Sequence, residues 1–367
     1  MDGRLHVVSV NQDPQVSPTH RKGAAVHLNS MRHAFTQLGA RVTAVDENDE
    51  RQIEARLENI FSNSPIDIIY ERYSLGRSRA ARFANKQGIP YALEVNAPLA
   101  DEQQARWRGQ IEKEKDKKED LVTFGTASFI GAISSQVAYY ARVRGGRNDN
   151  ICICPNGIDT SLFKTGIHRE RRLPHRPPRG RFVLGFHGCE HAHHGFEMLV
   201  DVTRALLARS YPVHLFIIGS GEFRELMRLP PCSYTRMGWV EHAEVPAYIS
   251  SFNALPLTHA PEGASYFSPL KLMEAMACGA VPIVPELGDL PALIAHGGNG
   301  LVYPAGESTA LFDQVVTLIS DQKRQQELSR RAAMAARAYE WKGIAGMILD
   351  RLGIRQNGFD MDMAVSQ

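Results

Sequence analysis

The sequence predicts a two-domain α/β protein, each domain built around a parallel sheet. Three observations carry this expectation. The chain has 367 residues, more than one hydrophobic core usually serves. Short apolar runs alternate with helical patterns, first over 5–157 and again over 182–352, the grammar of strand–helix–strand crossovers. Between the two series lies 168–181, rich in arginine and holding Pro174, Pro177 and Pro178, a composition suited to a linker. The expected domains are therefore 1–167 and 182–341, followed by a last helix within 342–356 and an aperiodic, disordered tail at 357–367.

In the first series, residues 5–10 read as a strand, and a polar loop then runs to Lys22-Gly23. Ala25, Leu28, Met31, Phe35 and Leu38 recur at helical spacing, and Gly39 closes that helix. Further strands fall at 41–45, 66–70, 91–96, 130–134 and 151–154, with a helix over 77–87. Cys152 and Cys154 alternate along the last of these and read as buried packing. The charged stretch 101–120, in which Trp107 and Ile111 are sparse apolar points, reads as a solvated helix face. Peripheral membrane contact is its second reading.

The second series opens with a strand at 182–186 and a helix at 196–208. A strand at 213–218 runs into Gly219-Ser220-Gly221. Gly238-Trp239-Val240, a helix near 245–252 and strands near 254–257, 281–284 and 301 follow. Helical patterning covers 309–337, and a final helix covers 344–352.

A net charge of +2 says nothing about a nucleic-acid partner, and the lack of an aromatic–basic stripe argues against one. No apolar run approaches the ~20 residues that span a bilayer. The chain opens almost directly into a strand, unlike a signal peptide. Five cysteines, odd in number and irregularly spaced, suit a reducing compartment. The expected location is cytoplasmic.

Residues 266–279, Tyr-Phe-Ser-Pro-Leu-Lys-Leu-Met-Glu-Ala-Met-Ala-Cys-Gly, concentrate the chemistry. Ser268 suits an N-cap and Pro269 the first helical position, while Gly279 ends the helix. A helix start following a buried strand is where open parallel sheets hold ligands. Its amides attract anions, Lys271 adds a full charge, and Glu274 one turn on offers a carboxylate to vicinal hydroxyls. Phosphate and sugar hydroxyls side by side suggest a nucleotide or nucleotide-sugar site. Taken alone, the stretch also fits a scaffold helix with an incidental lysine and a solvent-facing glutamate.

With the landmarks in order, the chain resembles the family-four retaining glycosyltransferases (glycosyl transferases group 1). The motifs carrying the resemblance are Lys22-Gly23, Pro155-Asn156-Gly157-Ile158-Asp159, Gly219-Ser220-Gly221, Gly238-Trp239-Val240, Ser268-Pro269-Leu270-Lys271 through Glu274 to Gly279, Asn299-Gly300-Leu301 and Trp341. The Ser-Pro-Leu-Lys version looks like a branch of that family. The resemblance implies a GT-B fold, two Rossmann-like domains facing across a cleft, with the helix at 342–356 packing back onto the N-terminal domain.

It further implies a nucleoside diphosphate sugar as donor, with no cofactor and no metal required, and a small-molecule, lipid or glycan acceptor on the N-terminal side. The sugar would transfer with retention of anomeric configuration. Glu274 matches the glutamate that holds the ribose. The free amides of the Ser268-Pro269-Leu270 segment would meet the diphosphate, helped by Lys271, and Gly238, Trp239 and Val240 would line the nucleobase pocket. Gly23 would let a loop approach the phosphates. Gly188, His194 and Gly195 would cup them, and Lys22, Glu94 and Asn96 would face the acceptor. Lys271, Glu274, Asn96 and His194 are the catalytic candidates.

Three departures set this chain apart. Tyr266 stands where the family commonly has a first glutamate. Cys189 and His194 stand where it has arginine and lysine, with His194 and Lys271 expected to compensate in part. Asn96 replaces a common histidine and cannot serve as a base. These motivate an alternative, a catalytically weakened paralogue that binds nucleotide sugar or a partner subunit. The run 187–195, dense in histidine and cysteine, raises a competing metal-site reading, although few of its side chains could converge on one ion.

Overall fold

The computed structural model describes residues 4–13, 16–17, 23–104, 110–167, 175–190, 194–261, 266 and 268–354. Lys22, residues 168–174 of the expected linker, and the tail at 357–367 lie outside them. The chain divides into two compact units, one of Met1–Ala132, Tyr140–Cys152 and Lys342–Gln367, the other of Ile133–Tyr139 and Ile153–Trp341.

The first unit holds strands β1 (His6–Asn11), β2 (Arg41–Asp46), β3 (Ile68–Arg72), β4 (Tyr91–Val95), β5 (Phe129–Ala132) and β6 (Ile151–Ile153). They form one sheet in the order β2-β1-β3-β4-β5-β6, and β1 pairs parallel with both β2 and β3. Every residue of β1 and β4 is buried, as expected for central strands covered on both faces. Helix α1 (Gly23–Gln37) buries Ala25, Leu28, Met31 and Phe35, the spacing visible in the sequence. Helix α2 (Glu50–Asn63) has no counterpart in the sequence reading. It buries only Ile53 and Leu57 and starts on Asp49, whose carboxylate accepts from the Arg51 amide. Helix α3 (Arg79–Gln87) ends on Gly88 at φ 67°.

The charged stretch becomes α4 (Leu99–Gln104) and α5 (Gln110–Thr126), followed by α6 (Ser135–Val143). Over 113–118 the helix is mainly exposed, but Asp120 is fully buried. It accepts from the Gly76 amide at 3.1 Å, the Tyr73 hydroxyl at 2.9 Å and Arg144 at 2.7 Å. Cys152 and Cys154 are half-buried rather than core.

The second unit holds β7 (Phe182–His187), β8 (Val213–Ile218), β9 (Tyr234–Met237), β10 (Ala254–Pro256), β11 (Val281–Pro285) and β12 (Leu301–Tyr303). Their order is β12-β11-β10-β7-β8-β9. The chain progresses outward from β7 in one direction and from β10 in the other. The carboxyl ends of β7 and β10 thus flank the topological switch point, where open α/β sheets bind ligands. Along β8, Phe216 and Ile218 join one buried cluster while Leu215 and Ile217 join another, the period of two that places a core on each face.

The helices of this unit are α7 (Phe196–Ala208), α8 (Val245–Ile249), α9 (Leu270–Ala277), α10 (Leu290–Leu293), α11 (Ser308–Ser320) and α12 (Gln322–Ala336); α13 (Trp341–Arg351) belongs to the first unit from Lys342 on. The pattern read as helical over 309–337 is two helices. Asp321 breaks it and accepts from the Arg324 amide at 2.9 Å as the cap of α12.

Candidate functional site

The site is built around the start of α9, which follows β10 at the switch point. Pro269, in extended conformation, stands at the N-cap, not Ser268 as its residue type suggested. Ser268 is buried and otherwise engaged. Its hydroxyl accepts from the Asn156 amide at 2.9 Å, and the Asn156 side-chain amide donates to its carbonyl. Proline offers no capping oxygen, so no side chain caps the first amides of α9 among the described residues, leaving a helix start suited to an anion.

The segment after Asn156 explains why several scattered motifs belong together. A Cβ on Gly157 would lie 2.6 Å from the Trp341 ring. Ile158 donates to the Tyr339 carbonyl at 2.8 Å and accepts from the Trp341 amide at 3.2 Å. Pro155-Asn156-Gly157-Ile158, Ser268 and Trp341 thus form one connected scaffold.

On the other side of α9, β7 runs out through His187 into Gly188, whose φ is 113°. A Cβ there would sit 3.7 Å from the Lys271 ammonium. Gly195 precedes α7 at φ 59°, and a Cβ on it would meet the Thr258 carbonyl oxygen at 1.8 Å. Only glycine fits, so the loop is pressed against the end of β10.

Lys271 is half-buried. Its ammonium lies 5.2 Å from the centre of the Phe186 ring and 3.2 Å from His194 Nε2. Desolvation pulls its pKa down from 10.5 to about 8, opposed by the charge of Glu274. His194 Nδ1 lies 2.9 Å from the Cys189 carbonyl, which only accepts. Nδ1 therefore carries a proton, and Nε2 offers its lone pair to Lys271. In this arrangement His194 orients the Lys271 cation. Cys189 is exposed, its Sγ 3.2 Å from Ser220 Oγ.

Glu274 is 7% exposed, not solvent-facing. His187 Nε2 lies 3.3 Å from its Oε2 and His242 Nε2 lies 3.3 Å from its Oε1. Burial pushes its pKa up, but the His242 hydrogen bond and the charges of His187, His242 and Lys271 outweigh this and hold it below the usual value. The two histidines diverge. Burial lowers the pKa of His187, against the pull of Glu274. The Glu274 hydrogen bond raises that of His242 despite its partial burial. Gly238 and Trp239 are exposed and Val240 half-buried in the segment just beyond β9. Tyr266 is half-buried.

In the first unit, Gly23 is the exposed first residue of α1. Glu94 on β4 is 8% exposed and saturated with donors. His27 Nε2 lies 2.8 Å from its Oε2, Arg72 lies 3.1 Å from its Oε1, and the Asn96 side-chain amide donates to Oε1. Glu94 and Asn96 do come together, joined by His27 and Arg72, which the sequence did not single out.

Also missed were Asn156 as a support of Ser268, and His187 and His242 as partners of Glu274. His242 lies two positions beyond Val240, and only that adjacency could have pointed to it. Among the described residues, no three His, Cys, Asp or Glu side chains are placed to hold a metal ion; His191 and His193 of the metal reading lie outside them.

Comparison with known proteins gives a class first. Sucrose-phosphate synthase of Thermosynechococcus elongatus superposes with a TM-score of 0.71 at 15% identity, over 95% of this chain and 99% of its own. Anabaena Alr3699/HepE, solved in complex with UDP, gives 0.69 at 19% identity over 95% and 100%. Together with the two parallel six-stranded sheets, these define a GT-B fold. More particularly, residues 181–321 match the family described as Glycosyl transferases group 1.

Among curated relatives, the D-inositol 3-phosphate glycosyltransferase of Arthrobacter sp. (strain FB24) is 21% identical over 324 residues, 81% of this chain and 73% of its own. The phosphatidyl-myo-inositol mannosyltransferase of Mycobacterium leprae is 23% identical over 195 residues, 53% of this chain. The chain spans about half the length of that mycobacterial relative, 51%.

Proposed function

We propose that the protein transfers a sugar from a nucleoside diphosphate sugar to an acceptor, with retention of anomeric configuration. The observation that carries this reading is the pairing of Lys271 with Glu274, one turn apart at a helix start on the switch point of the second unit. The uncapped amides of α9 and the Lys271 charge suit a diphosphate, and the Glu274 carboxylate suits ribose hydroxyls. The UDP complex of HepE supports a nucleoside diphosphate as the leaving group.

As the glycosidic C–O bond breaks, negative charge accumulates on the departing phosphate. Lys271 and the α9 amides stabilise it, and a phosphate oxygen takes the acceptor proton on the same face. Glu94 and Asn96 stand as acceptor contacts, as does Lys22. The step assigns no role to a metal.

The test is a thermal-shift panel of uridine, guanosine and adenosine diphosphate sugars, followed by an assay of released nucleotide with and without chelator. Stabilisation by one donor class and chelator-resistant turnover are expected; no stabilisation by any of them overturns the reading. A second reading, a weakened paralogue that binds donor without turnover, is favoured by His194, whose lone pair faces Lys271 in place of a second cation. Binding without product in the same panel selects it.

A further inference from the structure

Glu274 has two oxygens and two histidine partners that differ in freedom. The side chain of His187 is 9% exposed and that of His242 is 44% exposed. The carboxylate itself is nearly enclosed, with Oε2 against the buried His187 and Oε1 against the exposed His242, so the approach from solvent is the one His242 covers. His242 belongs to the segment between β9 and α8, and its ring rests 5.2 Å from that of Phe163. The charged and titratable groups facing it are Glu274 from α9, His187 from β7 through the shared carboxylate, and Asp159 from the segment after β6. Glu241 and Glu244 flank it in its own segment.

We propose that His242 is a donor-positioning residue that competes with the ribose hydroxyls for Glu274 Oε1, so that nucleotide binding displaces it and releases a proton. The proposal rests on the donor-site reading above and adds a residue and a linkage to it. The Glu274 contact favours the protonated imidazole. Once the hydroxyls donate to Oε1, that support is withdrawn, and the imidazolium passes its proton to solvent. Glu274 remains ionised throughout, and no covalent bond changes.

The experiment is titration calorimetry of the full chain with UDP, GDP and ADP near pH 7, in two buffers of different ionisation enthalpy, which counts protons exchanged on binding. Phosphate and Lys271 contribute protons of their own, so the readout is the difference between wild type and His242→Gln, which keeps a hydrogen-bond donor and does not titrate. Wild type is expected to release more than the variant, by a fraction of a proton, and the difference is expected to vanish with the 2′,3′-dideoxy nucleotide.

An equal proton count in the two proteins overturns the proposal. So does a difference that persists with the dideoxy nucleotide, which places His242 on the phosphate. If wild type binds none of UDP, GDP and ADP, the donor-site reading falls and the proposal with it, an outcome distinct from binding without proton linkage. Proton NMR of the His242 ring in wild type provides a check free of any folding defect in the variant: nucleotide is expected to lower its titration midpoint, and an unmoved or raised midpoint overturns the proposal.

Discussion

Lys271 is asked to be a cation in a place that disfavours one. Desolvation brings its pKa to about 8, so at pH 7 most molecules keep the charge, and the charge is lost as pH rises through about 8. Transfer is therefore expected to show an alkaline limb with a midpoint near pH 8, read from kcat/KM against pH. Lys271→Met, which keeps much of the stem and removes the charge, is expected to lower turnover by about 10²–10³-fold. A variant within a few-fold of wild type would refute the assignment. Residue type at the helix start drew attention to Lys271 and Glu274, although the stretch taken alone fitted a scaffold helix as well. It could not show that His194 turns a lone pair toward the lysine, because that depends on the Cys189 carbonyl, a backbone atom no residue type encodes.

At the scale of elements, the start of α9 is held by a partner outside its own helix. Asn156 donates to Ser268 through its main chain and its side chain. Asn156→Ala removes the side-chain bond and leaves a buried carbonyl short of a donor, at a cost of about 1–3 kcal/mol. Because that carbonyl adjoins the phosphate-facing amides, the expected outcome is a lower unfolding temperature together with a raised KM for donor. Lower stability with unchanged KM would separate the two roles. The strands and most helices were legible because their apolar periodicity is local. Helix α2 was not, since only Ile53 and Leu57 are buried along it. The cap of α9 was misread because Ser268 is the right residue type for an N-cap but is engaged by a more distant partner.

At the scale of the whole molecule, one buried acid shapes the response to pH. Glu71 on β3 accepts from Gln12 and from the Tyr91 hydroxyl, each at 2.5 Å. Burial lifts its pKa from 4.5 to about 7, against the pull of those two hydrogen bonds. The folded state then binds more protons than the unfolded one between these values, so this group's contribution is fully present below about pH 4.5 and is lost as pH rises through 7. The loss is on the order of 3 kcal/mol. Glu71→Gln, which keeps the acceptor oxygen, is expected to flatten the apparent unfolding temperature over that window relative to wild type; parallel curves would contradict this.

Asn156 and Ser268 also set an order of events. They stand 112 positions apart, so on the ribosome, at about 5–20 residues per second, Asn156 waits on the order of ten seconds for its partner to be made. Contacts of such long sequence separation close late because the loop entropy must first be overcome. The capacity to bind nucleotide should therefore be among the last properties a refolding chain regains. In a stopped-flow experiment, nucleotide-dependent fluorescence should lag the recovery of helical circular dichroism.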